Sequence, residues 1–200
     1  MARSYRMEKR EQAMKEIRDR ILQATMQLHD EKGPAFTTFA DIAERAGVGQ
    51  ATVHRHFATT GELVRNCGMH VWAQMRPPVP EDAAARFAGL HTREEKLARL
   101  IAETDAFYER GWQRLTLAAR DSDMIPELGG FLRAVGAGIE ALVREALSPP
   151  DPDPRAVGVV ATLVSLPVWK DLNRLGMAPS ELAALKLRLL LCGIAAAEAA

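Results

Sequence analysis

Few side chains in this sequence stand at spacings that carry chemistry by themselves. Cys67 and His70 lie three apart, on one face of a helix, and His91 is not far along. They could begin a metal or redox centre, but a third ligand at ligand spacing is missing. His54 and His56 flank Arg55. On a helix, residues two apart point about 200° away from each other, so these imidazoles cannot chelate one ion. The sequence has no GxSxG, P-loop, HExxH or dinucleotide glycine fingerprint, and Gly136-Ala137-Gly138 falls inside a helical pattern. It gives no support to an enzyme, and no metal or cofactor is expected. What remains is polar recognition chemistry: Gln50 and Arg55 on the exposed face of a short helix, where a protein-docking surface would more often be apolar.

The elements that must position that helix lie in TTFADIAERAGVGQATVHRHFATTGELV, Thr37 to Val64. Thr38 offers a hydroxyl cap to a short helix ending near Ala46-Gly47. Ala43 is small enough for close helix approach, Gly47 suits a left-handed turn position, and Val48 can plug the angle between two helices. Ile42, Val53 and Phe57 supply a small shared core. The second helix, about Gln50 to Phe57, is only ~12 Å long and marginal alone, so its neighbours must hold it. A short, rigidly presented helix is what entry into a DNA major groove requires.

Around this segment the pattern is helical nearly throughout. Ile17, Ile21, Ala24 and Leu28 make one apolar stripe on a helix stopped by Lys32-Gly33-Pro34. A helix from about Glu62 to Met75 is halted by Pro77-Pro78-Val79-Pro80. Thr92-x-x-Glu95 has capping-box spacing and starts a helix to about Arg110; a further apolar pattern covers Gly111 to Arg120. Helices follow at about 126–147, 155–175 (kinked at Pro167) and 180–197. Between the first two of these lies the proline-rich 148–154, an exposed linker. The 200 residues are 48% hydrophobic and 26% charged, enough for a core and for solubility, and 26 basic groups balance 26 acidic ones. Residues 1–20 lean positive, with Arg3, Arg6, Lys9, Arg10, Lys15, Arg18 and Arg20 against Glu8, Glu11, Glu16 and Asp19. Two distant cysteines, a charged N-terminus and the lack of a long apolar run point to a cytoplasmic protein without membrane contact.

Thr37-Thr38, Asp41-Ile42-Ala43, Ala46-Gly47-Val48, Thr52-Val53, Phe57 and Glu62-Leu63 fall in the register of a known family. Over roughly residues 15 to 65 the sequence resembles the TetR family of transcriptional regulators; beyond residue 75 only the helical layout matches. The resemblance implies an all-α fold of about nine helices. It divides the chain into a flexible basic arm at 1–14, a three-helix helix-turn-helix DNA-binding domain at 15–61, and a helical ligand-binding and dimerisation domain at 62–200. It implies a regulator, in most such proteins a repressor released from a palindromic double-stranded DNA operator by a small-molecule effector, and a homodimer formed by the last two helices. Gln50, Ala51, Thr52 and Arg55 would lie on or near the groove face. Arg55 would be aimed at guanine, Gln50 at adenine and Thr52 at a thymine methyl. Thr37, Thr38, His54, His56 and Thr60 would lie along the phosphates, with Arg3, Arg6, Lys9 and Arg10 in the arm. The chain departs from the family at Gly49, His54 and Thr60, where a Ser cap, a Tyr and a phosphate-binding Lys are common. The competing reading is a helical interaction protein whose head docks a protein partner and no longer binds DNA.

Residues 62–147 hold most of the large aromatic and thioether side chains, among them Phe87 and Phe131. Core packing is one use for them; an apolar pocket with a few polar handles is another. For the pocket the expected lining is Trp72, Met75, Phe107, Tyr108, Trp112 and Met124, with Gln113 and Thr116 as further handles. The last helix, rich in leucine from Leu182 to Ile194, is apolar nearly all round and so needs a partner besides its own core.

Overall fold

The computed structural model describes residues 2–147 and 151–199, with side chains from Tyr5 onward. Expectations that fall on 148–150 or on the Arg3 side chain lie outside the described residues. Among these residues there is no β-strand. The helices are α1 (Ala2–Lys32), α2 (Phe39–Ala46), α3 (Gln50–His56), α4 (Thr60–Met75) and the single-turn α5 (Ala83–Arg86), followed by α6 (Arg93–Asp121), α7 (Pro126–Ala146), α8 (Pro154–Leu163), α9 (Leu166–Asn173) and α10 (Pro179–Glu198). Two 3-10 turns, Pro34–Phe36 and Pro80–Asp82, precede α2 and α5. No described helix is long and apolar enough to cross a membrane.

The chain divides into two units. The first is Met1–Gln74 with Gln113–Leu132, the second Met75–Trp112 with Arg133–Ala200. The division differs from the one expected at residues 61/62, because most of α4 and a stretch of α6 and α7 pack with the head.

In the first unit the apolar stripe of α1 is buried as its spacing requires: Ile21, Ala24 and Leu28 meet Ile42, Val53, Phe57 and Leu63 in one core. A second small core joins Val64, Ala118, Ile125 and Leu128. The 2–14 segment is not a separate arm. It is the beginning of α1, since residues 2–32 contain neither glycine nor proline to stop the helix. Asp121, fully buried at the end of α6, accepts hydrogen bonds from the Ala35 backbone N–H (3.0 Å) and Arg120 Nε (2.7 Å). This carboxylate staples the connection between α1 and α2.

In the second unit Leu97, Leu100, Leu142, Val160, Leu190 and Ile194 lie in one core. Helix α6 runs unbroken through Gly111, where the sequence suggested two segments. The expected single helix at 155–175 is instead two, α8 and α9, with Ser165 between them in extended backbone (φ −70°, ψ 156°). Pro167 falls in the first turn of α9, where its missing N–H and fixed φ are tolerated, so the chain breaks ahead of it instead of kinking around it.

Candidate nucleic-acid interface and ligand cavity

The turn between α2 and α3 is set by local chemistry. Thr38 Oγ1 accepts from Asp41 N–H (3.1 Å) while Asp41 Oδ2 accepts from Thr38 N–H (2.9 Å), a reciprocal cap on α2. Lys32 pairs with the same carboxylate at 2.6 Å. This hydrogen bond and those from Thr38 hold the Asp41 carboxyl well below the usual carboxylate range. Gly47 then takes φ 62°, ψ 43°, the left-handed conformation in which a Cβ is penalised, and Arg20 donates to the carbonyls of Ala46 (2.5 Å) and Gly47 (3.2 Å). Helix α3 starts at Gly49 without a side-chain cap. It is anchored by Val53 and the following Phe57, both fully buried.

That anchoring turns the opposite face of α3 outward. Gln50, Ala51 and Arg55 are exposed, and Thr52 is half-buried. The Arg55 side chain makes no hydrogen bond or ion pair among the described residues. His54 is exposed and stacked flat on Phe39, with centroids 4.3 Å apart and planes 2° apart. Thr38 is exposed but engaged as the cap, and Thr60 is half-buried at the start of α4.

Two of the expected phosphate contacts need correction. Thr37 is buried and its hydroxyl donates to the Gly33 carbonyl at 2.9 Å, so it closes the α1–α2 connection and has no free donor. His56 keeps its Nε2 buried with no hydrogen-bond partner. Burial, then the charges of Arg55 and Arg18, lowers its pKa and favours the neutral ring.

Sequence reasoning missed the residues that brace the reading helix. Arg18 reaches Asn66 Oδ1 at 2.6 Å and lies 4.4 Å over the Phe57 ring, tying α1 to α4 and to the end of α3. Its place on the flank of the apolar stripe of α1 reads as a solvated charge until the partners are seen. The start of α4 was more legible. Thr59-x-x-Glu62 has capping-box spacing: Glu62 N–H donates to Thr59 Oγ1 (3.1 Å), and the Glu62 carboxylate reaches one residue past the cap to accept from Ala58 N–H (2.9 Å).

The first unit also contains a half-open cavity of about 450 Å³. Met26 and His29 of α1, Val64 and Trp72 of α4, Leu117 of α6 and Phe131 of α7 are on its wall. Trp72 and Phe131 meet edge to face, centroids 5.8 Å apart. Of the six residues expected to line a pocket, only Trp72 does so here. Met75, Phe107 and Tyr108 are core residues of the second unit, with exposures of 0%, 1% and 2%. The Tyr108 hydroxyl donates to the Val164 carbonyl at 3.1 Å, and burial raises its pKa. Trp112 lies under the Lys170 ammonium, 5.3 Å from the ring centroid. Met124 is 59% exposed in the turn between α6 and α7. Cys67 is buried with its thiol pushed up to about 12, whereas His70 is exposed. No group of three His, Cys, Asp or Glu among the described residues could hold a metal ion.

Residues 21–67, which include the α2–turn–α3 unit, match the model of the bacterial regulatory proteins of the tetR family. The head belongs to the TetR family. An HTH-type transcriptional repressor from Mycobacterium tuberculosis is 35% identical over 92 residues, 44% of this chain and 48% of that protein. The chain thus spans about half the length of the curated relatives it matches. A tetR-family regulator from Streptomyces coelicolor shares the fold, with a TM-score of 0.58 at 18% identity over 92% of this chain and 83% of that one. The TetR-like regulator LfrR from Mycobacterium smegmatis, solved in complex with proflavine, gives 0.51 at 22% identity over 91% and 98%. The TetR fold therefore extends well past the matched head.

Proposed function

We propose that this chain is a DNA-binding transcriptional repressor, a homodimer released from a palindromic operator by a small hydrophobic effector. The observation that carries the reading is α3 itself: a seven-residue rod held from behind by Val53 and Phe57, presenting Gln50, Ala51 and the unengaged Arg55 to solvent. Arg55 suits guanine O6/N7 and Gln50 an adenine edge, with Thr52 near a thymine methyl. Thr38, His54 and Thr60 flank them toward the backbones, and Arg6, Lys9 and Arg10 on exposed α1 add positive charge. An exposed reading face built of polar groups favours DNA over a docked protein.

Dimerisation is assigned to α8 and α10, where Gly158, Thr162, Leu189, Cys192 and Ala196 are exposed along two helices packed on each other. Two copies joined there would set half-sites one helical turn apart, ~34–36 Å in simple cases. The cavity beside Trp72 and Phe131 is the effector site, and its occupation shifts α1 and α4, which brace α3. The repressor name of the mycobacterial relative agrees with this, as does the proflavine bound by LfrR. A protein acting on DNA belongs in the cytoplasm of a bacterial cell.

Selection of DNA sites from a random pool tests the reading. Enrichment of an inverted repeat is expected; recovery of no sequence above background, or of a single asymmetric site, overturns it.

A further inference from the structure

The cavity of the first unit carries more information than its apolar wall. Four charged side chains border it, and each is committed to another. Arg114 grips Asp30 with both arms of its fork, Nε to Oδ1 and Nη2 to Oδ2 at 2.7 Å each, and its Nη1 donates to Gln74 Oε1 at 2.6 Å. Arg65 pairs with Glu127 at 2.6 Å. The wall is thereby neutral in sum, and no charged group on it waits for a counter-ion.

The two remaining titratable wall groups are uncharged near neutral pH. Burial, opposed by Asp30 and Asp121, lowers His29 to about 4, and burial raises Cys67 to about 12. An anionic guest would have to draw an arginine from its carboxylate and leave that carboxylate unpaired. A cationic guest would strand an arginine in the same way. Each exchange replaces a formed pair with one new pair and one released charge, a modest cost at Arg65–Glu127, where Arg65 is 60% exposed, and a larger one at the two-armed Arg114–Asp30 pair, where Arg114 is 25% exposed. An uncharged guest disturbs neither pair. A neutral imidazole supplies one donor and one acceptor nitrogen, and the perpendicular Trp72 and Phe131 rings offer an edge and a face to an aromatic plane. The volume, about 450 Å³, is within the usual range for small-molecule sites.

We propose that this cavity takes an uncharged, largely apolar molecule with an aromatic ring against Trp72 and Phe131 and one hydroxyl or carbonyl on His29. The proposal rests on the reading of the cavity as the effector site. Because α1 supplies Met26, His29 and Asp30 to the wall, the guest is clasped by a helix of the DNA-binding head itself.

Titration calorimetry of the full chain at pH 7.5 with three probes on one ring system tests it: 2-naphthylmethanol, 2-naphthoate and 2-naphthylmethylammonium. The alcohol should saturate and bind at least about 5-fold tighter than either ion. Equal or tighter binding of an ion overturns the proposal, as does absence of saturable binding by all three. His29→Leu should weaken the alcohol about 10-fold. Met69→Trp, at an exposed wall position, should obstruct entry and weaken it at least as much, without touching the core. Unchanged binding in both variants overturns the site. Tight binding of the alcohol with operator retention unaltered would defeat the release mechanism and leave this proposal standing, so the two fail separately.

Discussion

Gly61→Ala tests whether Glu127 is seated on the first turn of α4. A Cβ built on Gly61 would fall 2.1 Å from Glu127 Oε1 and 2.6 Å from its Cδ, so the carboxylate must move away. The atoms displaced are the far end of a flexible side chain, and the direct loss is the Arg65–Glu127 pair. Arg65 is 60% exposed in that pair, so the pair contributes about 0–1 kcal/mol. Against it stands the gain from replacing glycine by alanine in a helix, about 0.5–1 kcal/mol. Gly61→Ala alone should therefore change stability by between about −0.5 and +1 kcal/mol, less than the gain without the pair. Introduced into Glu127→Ala, where nothing is left to displace, the same change should stabilise by about 0.5–1 kcal/mol. The assay is a double-mutant cycle by urea unfolding at one fixed protein concentration, because dimerisation would make stability concentration-dependent. Equal effects of Gly61→Ala in both backgrounds would refute the seat.

Three further outcomes are expected. Arg55→Ala should weaken specific DNA binding by about 1–3 kcal/mol and relax preference at one base position while leaving the fold intact, read by competition binding at fixed salt. Phe57→Ala should destabilise by about 3–5 kcal/mol, since it empties a fully buried site and removes the ring under Arg18; a loss below 1 kcal/mol by urea titration would show that Phe57 is not a keystone of the head. His29 is held neutral by burial, with its pKa lowered from 6.5 to about 4. Between these values the unfolded chain binds a proton that the folded one refuses, so stability should fall as pH drops through that window, by up to about 1.4 kcal/mol per unit. His29→Gln should flatten that slope, and an unchanged slope would assign it elsewhere.

How legible these features were depended on how local their causes are. The α2–turn–α3 unit could be read because the Thr38 cap, the left-handed Gly47 and the buried Ile42, Val53 and Phe57 are fixed by residues within twenty positions of one another. The apolar stripe of α1 likewise announced its buried face. The continuity of α1 over its basic start was readable too, had the want of glycine and proline been weighed above the charge. The pocket lining was not readable. An aromatic residue satisfies a core and a cavity wall equally well, and only long-range packing put Tyr108 against the Val164 carbonyl and Trp72 across from Phe131. The charge-neutral wall was equally hidden, because Asp30 and Arg114 are 84 positions apart in the chain.

The cavity wall drawn partly from α1 bears on where this chain can be cut and recombined. A cut after the helix-turn-helix, near residue 61, separates α1 from most of α4. That cut would part Met26, His29 and Asp30 from the rest of the wall and leave the cavity with a missing side. A transplant that preserves the cavity has to carry α1 along with α4, or rebuild those three positions in the recipient.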